Sequence, residues 1–245
     1  IFVNKLTIET MNQKVKKVRN ILATITLLVA GVWVTSCEKY TITLPTVDPD
    51  ETRSFQTDIQ PIFDATKALG CRVALDTSGE ALGYWAKQGA ASVMKPNAEE
   101  LASAVGRSLL TNGDVIDAAR ELCANGVECV LASLGADGMI AVTHDHAWHA
   151  KTSKIKVINT VGAGDATLAG FLSAVVTNPI KDGEEDFGVG YNIPLGVKTA
   201  VQWGAMAVTQ PTSGLTAVEP LPEGFLNYTP DLSTPLDEPA VGKPH

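Results

Sequence analysis

One stretch of this 245-residue chain, Asn159-Thr160-Val161-Gly162-Ala163-Gly164-Asp165-Ala166-Thr167-Leu168-Ala169-Gly170-Phe171-Leu172, combines residue types that could carry out a reaction. Gly162 and Gly164 allow the backbone close approach to a ligand, and the small apolar residues after Asp165 predict a helix starting there. Successive N–H groups at a helix start form a cradle for phosphate oxygens, helped by the positive end of the helix dipole. A carboxylate beside that cradle can accept the proton of an attacking hydroxyl while the amides stabilise charge on a transferring phosphoryl group. A bare Gly-x-Gly-Asp also suits a glycine turn before a packed helix, so the rest of the chain must decide.

The elements that would position this stretch follow a repeating pattern of strands and helices. Arg72 to Asp76 reads as a short strand ended by Thr77-Ser78-Gly79, and Glu80 to Gln88 as a helix closed by Gly89. Ala91 to Met94 is the next strand, leading into Lys95-Pro96-Asn97-Ala98-Glu99-Glu100-Leu101. There Asn97 as N-cap and Glu100 three residues on form a capping box. Helices are predicted over Ala98–Leu110 and Asp114–Asn125, the second followed by Gly126. Val127 to Ser133 reads as a strand buried on both faces of a parallel sheet. Leu134 to Gly138 is a turn, with strands near Met139–Thr143, Ala147–Ala150 and Ile155–Ile158. Such βαβ units imply a sheet sandwiched between helices.

Four segments in this order resemble the PfkB, or ribokinase-like, family of sugar kinases. They are Asp76-Thr77-Ser78-Gly79-Glu80-Ala81-Leu82, the Lys95-Pro96-Asn97 element with its Asn-x-x-Glu, Ser133-Leu134-Gly135-Ala136-Asp137-Gly138, and the Gly162-Ala163-Gly164-Asp165 signature. The first two, with Gln210-Pro211-Thr212-Ser213-Gly214, are similar to the 1-phosphofructokinase and tagatose-6-phosphate kinase branch in particular. The resemblance covers about Lys67 to Ala217. It implies a three-layer α/β/α ribokinase-like sheet, N-terminally truncated, with ATP and Mg2+ as cofactors and a sugar phosphate as partner. Asp165 would be the catalytic base and Gly162, Ala163 and Gly164 the anion hole. Ser133, Gly135, Gly138, Lys95 and Asn97 would bind the nucleotide, Glu100 would position magnesium through water, and the 210–214 loop would lie near the adenine. The implied reaction converts fructose 1-phosphate to fructose 1,6-bisphosphate, with Asp165 deprotonating a sugar hydroxyl read here as that on C1. The family's sugar-binding aspartate, glycine-rich substrate loop and β-lid should precede Asp76, and nothing before it resembles them. Poor positioning of the acceptor, and hence impaired turnover, is the expectation.

Charge divides the chain differently. Residues 1–37 carry Lys5, Lys14, Lys16, Lys17 and Arg19 against Glu9 alone, a net +4 that leaves −12 of the total −8 for the rest. The acidic remainder offers no basic patch for nucleic acid. After a basic region from Met11, the uncharged run Ile21–Val34 would span about 21 Å as a helix, short of the roughly 30 Å hydrocarbon core. It reads as a helical signal-like leader, and the following Thr35-Ser36-Cys37 resembles a bacterial lipoprotein signal with Cys37 as lipidation candidate. That leader alone would direct a protein to the membrane or periplasm, whereas the kinase-like part belongs in the cytoplasm. The resulting organisation is a leader over 1–37, a linker of foreign origin over 38–66, a kinase domain holding the ATP half over 67–217, and an extended tail over 218–245. Ser54 to Phe63 resembles the lead-in to exported haem domains, yet no CxxCH follows. An exported lipid-anchored binding or electron-transfer protein, or a non-functional chimera, are the alternatives. Cys71, Cys123 and Cys129 read as reduced thiols, and His144, His146 and His149 as solvated turn residues.

Overall fold

Several helices of the body begin or end on a residue that supplies what the backbone lacks there, and those local decisions set the frame for the sheet. The structure, a computed structural model, describes residues 59–241 except residues 90, 182–184, 188, 214 and 216–219. These residues all lie in the compact unit Arg53–His245. The leader, Cys37 and most of the expected linker lie outside the described residues, among which no helix is long and apolar enough to cross a membrane.

Helix α1 (Gln60–Ala68) has Pro61 in its first turn, where a missing N–H costs nothing. It buries Phe63, whose ring stacks on Trp85 with centroids 4.4 Å apart. The boundary expected between residues 66 and 67 therefore falls inside a helix whose N-terminal half already packs on the body. Strand β1 (Ala74–Leu75) leads to α2 (Gly79–Gln88), closed by Gly89, and β2 (Val93–Met94) to α3 (Ala98–Val105). Helix α3 ends at Val105, five residues before the expected end at Leu110, and Leu109–Thr111 forms strand β3 instead. Thr111 then caps α4 (Asn112–Ala124) in a second capping box with Asp114. Strand β4 (Cys129–Ser133) passes through a short 3-10 turn at Gly135–Asp137 into β5 (Met139–Val142) and β6 (Ala147–Thr152). Helices α5 (Ala163–Thr177) and α6 (Ile193–Val208) follow, then β7 (Gly224–Asn227) and β8 (Pro235–Ala240).

Six strands form one sheet in the order β1-β2-β4-β5-β6-β7. The first three run parallel and the last three antiparallel, while β3 and β8 pair antiparallel as a separate ribbon. Strand β4 is buried on both faces as expected, but it is parallel only to β2 and antiparallel to β5. Alternation along it assigns the layers. Val130 and Ala132 join Leu82, Trp85, Leu101, Val115 and Ile116 from α2, α3 and α4. Cys129 and Leu131 join Phe171, Ile193, Val197 and Ala200 from α5 and α6. The described part of the unit Arg53–His245 is thus the expected three-layer α/β/α sandwich.

Two further expectations change. Ile155–Ile158 is not a strand, because the edge of β6 that it would extend is taken by β7, with Ala150 opposite Leu226. The segment expected as a surface tail is extended but paired: β7 completes the sheet, and Leu236 and Ala240 of β8 are buried against the α2–α4 side.

Candidate active site

Parallel strands deliver their C-terminal ends to one edge of a sheet, where an open α/β fold places its ligands. Here Asp76 follows β1 and Lys95 follows β2. The Lys95 side chain is buried, its residue only 6% exposed, and its Nζ lies 3.0 Å from Asp76 Oδ2. The stretch carrying it is stitched to both neighbours, since the Lys95 N–H donates to Leu75 O at 3.1 Å and the Ser133 N–H to Pro96 O at 3.0 Å. Asn97 and Ser133 extend that contact as a parallel bridge.

Lys95 Nζ also reaches the start of α5, where it stands 3.2 Å from the point a Cβ on Gly164 would occupy. Gly162 begins this helix with φ of 83°, a left-handed conformation that favours glycine, and no side chain caps it. Asn159 Oδ1 accepts the Val161 N–H at 3.0 Å, and the Ala163 N–H turns back to Thr160 O at 3.3 Å. Of the expected anion hole, the Ala163 amide is thus already engaged. The amides of Gly164 and Asp165 sit in the first helical turn, where the ladder provides no acceptor. Asp165 itself is exposed. Helix α5 lies against α6 at glycine contacts along its middle. A Cβ on Gly170 would stand 2.8 Å from the Trp203 ring, and one on Gly196 would stand 2.7 Å from the Phe171 ring.

The turn after β4 forms the second part of the site. Leu134 N–H donates to Gly138 O at 2.8 Å, and Gly138 (φ 84°) passes so close to β6 that a Cβ there would stand 2.1 Å from Ala150 O. Asn97, Ser133, Gly135 and Asp137 line a cleft of about 340 Å³, together with Leu236 and Glu238 from β8. Gly138, expected as a nucleotide contact, is not among its lining residues and serves the turn. Asp137 accepts from Lys151 Nζ at 2.9 Å and from the Asp237 N–H at 2.8 Å. Burial raises its pKa, yet these two donors more than offset that and hold the carboxyl below its ordinary value. His149 is buried in β6 rather than solvated, with Nε2 2.7 Å from Asp137 O, and burial lowers its pKa.

Glu100 and Asn97 form the full reciprocal capping box: Asn97 Oδ1 accepts the Glu100 N–H at 2.8 Å and Glu100 Oε2 the Asn97 N–H at 2.9 Å. Among the described residues no three His, Cys, Asp or Glu side chains converge as a metal cage. Asp76 and Asp137 were not singled out from the sequence. The signal for Asp76 was its place just beyond a strand parallel to the one ending before Lys95; Asp137 stood in the turn motif without a visible partner. Chemically, the site offers amides and a buried ammonium to an anion, with an exposed carboxylate on the same helix turn as those amides.

Known proteins share this arrangement of chain. A 104-residue stretch is 49% identical to 1-phosphofructokinase of Haloferax volcanii, covering 42% of this chain and 33% of that protein. The protein of the same name from Rhodobacter capsulatus is 45% identical over 105 residues, 43% of this chain and 33% of that protein. The matched part thus spans about a third of the length of these relatives. Among solved structures, phosphofructokinase-2 from Escherichia coli in complex with substrates and products superposes with a TM-score of 0.55 at 27% identity, covering 64% of this chain and 47% of that one. Aminoimidazole riboside kinase from Salmonella enterica, complexed with aminoimidazole riboside and an ATP analog, gives 0.50 at 26% identity, covering 64% and 52%. Residues 52–219 match the pfkB family of carbohydrate kinases, and the chain belongs to that family.

Proposed function

We propose that the chain is the nucleotide-handling part of a sugar-phosphate kinase that uses Mg2+ and ATP to convert fructose 1-phosphate to fructose 1,6-bisphosphate. The observation that carries this is the Lys95 ammonium seated against Gly164, one residue before Asp165, at the uncapped start of α5. The amides of Gly164 and Asp165, with Lys95, would hold the transferring phosphoryl group of ATP. Asp165 would take the proton of the acceptor hydroxyl as its oxygen bonds to the γ-phosphorus and the bond to the ADP oxygen breaks. A fructose already phosphorylated at C1 presents its C6 hydroxyl, so C6 replaces the C1 expected from the sequence.

The donor set suits Mg2+ only as an ion carried on nucleotide phosphates and waters, its usual mode, where it offsets their charge. Glu100 would touch it through water, since one of its carboxylate oxygens already caps α3. Exposed Val157, Ile158 and Val161 lie before α5, and the Ile158 N–H donates to Val208 O at 2.7 Å. That patch, beside the loop from Gln210, supports the adenine seat.

Two measurements test the reading. Mg·ATP at saturating concentration should raise the melting temperature of the full chain, and no shift beside a robust one for an intact relative would remove the nucleotide assignment. ADP release with fructose 1-phosphate should be slow, because no segment before Asp76 resembles the family's sugar-binding elements; turnover at the rate of ordinary sugar kinases would overturn that impairment.

A further inference from the structure

We propose that Asp76 is a positioning residue of this site: it holds the Lys95 ammonium in the space left by the absent side chain of Gly164. The proposal rests on the nucleotide reading above and names what keeps its cation in place. A lysine ends in a compact charge on a flexible stem and, unlike arginine, has no planar fork to fix its direction. Lys95 is buried, so its direction must come from a neighbour, and Asp76 Oδ2 lies 3.0 Å from Nζ. On its other side Nζ stands 3.2 Å from the position of a Cβ on Gly164, tighter than ordinary contact. A side chain there would press on the ammonium. Gly164 therefore serves the lysine as well as the phosphate. The three residues come from separate loops, after β1, after β2 and at the start of α5, so each depends on the fold to meet the others.

This arrangement gives Asp76 two opposed effects on a bound phosphate. Its charge repels the anion, and its hydrogen bond aims the cation that attracts it. If Asp76 were only a nearby charge, the first effect alone would remain, so the sign of a substitution distinguishes the cases.

The test is titration calorimetry of the full-length chain with Mg·ATP and with AMP. Asp76→Asn should weaken Mg·ATP about tenfold, the scale of one charged hydrogen bond, while leaving AMP unchanged. In a Lys95→Met background the same change should tighten Mg·ATP a few-fold, since only the repulsion is left to remove. Gly164→Ala should weaken Mg·ATP in the native background and do nothing further beside Lys95→Met. Asp76→Glu, which keeps the carboxylate, should bind within about threefold of the native chain, and with Gly164→Ala it carries the test if Asp76→Asn does not fold. Tighter Mg·ATP binding by Asp76→Asn alone, or equal losses for AMP and Mg·ATP, would overturn the positioning role while leaving the nucleotide reading intact. A native chain that binds no Mg·ATP would overturn both.

Discussion

The two halves of the main sheet use polar side chains in opposite ways. In the parallel half, β1, β2 and β4 end at the same edge, and the residues just beyond them, Asp76, Lys95 and Asn97, with Ser133 at the end of β4, gather there. In the antiparallel half, β5, β6 and β7 end alternately at opposite edges, and the polar residues Asp137, His149 and Lys151 bind one another and the backbone of β8. Strand direction thus separates polar groups gathered at one edge of the sheet from those tied into the structure by one another. Substitutions in the antiparallel half should cost stability, and those at the α5 start should cost binding without stability.

The largest effect should come from Gly138→Ala. It adds a left-handed strain to a clash with Ala150 O, together about 4 kcal/mol, visible as a lower urea midpoint. A midpoint within error of the native chain would remove the turn from the structural half. Phe63→Ala should cost about 3 kcal/mol by emptying the stack on Trp85, and a negligible change would detach α1 from the body. Asn97→Ala tests the border between the halves, since it opens the α3 capping box for about 1 kcal/mol and should weaken Mg·ATP as well; a loss of stability alone would place Asn97 on the structural side.

A pH series gives a smaller effect. Burial lowers the His149 pKa from its ordinary 6.5, so below about 6.5 the unfolded chain takes up a proton that the folded one does not. This contribution to stability is complete above that pH and declines as the pH falls toward the folded value. Asp137, held below its ordinary 3.8, loses its contribution only in stronger acid. Melting temperatures should therefore drop between about pH 7 and 5, with a shallower slope for His149→Gln; equal slopes would free His149 of this role. The smallest change belongs to Asp165→Asn, exposed and outside every packed contact described, which should alter stability by less than about 0.5 kcal/mol while removing ADP release.

What could be read in the sequence was what its neighbours in the chain determine. The Asn97 and Glu100 box, the closure of α2 at Gly89 and the glycine start of α5 each depend on residues within four positions, and each is present. Helix α3 was overextended because Gly106 and the pairing of Leu109 opposite Ala240 had to be weighed together, and the second partner lies far along the chain. Ile155–Ile158 has the apolar content of a strand, yet β7 holds the edge it would need. At the site, the glycines and Asp165 announced themselves by motif, whereas Asp76 acquires meaning only when two parallel strands bring it to Lys95.

The pairing of β8 with β3 also has a consequence for biosynthesis. Leu109 waits more than a hundred residues for Ala240, and the edge of β6 stays open until β7 emerges. A nascent chain at the ribosome therefore shows a bare strand edge and a partly uncovered apolar surface for about half of its synthesis, a template for unwanted pairing with other chains. Chaperone demand should fall sharply only once β7 and β8 leave the exit tunnel.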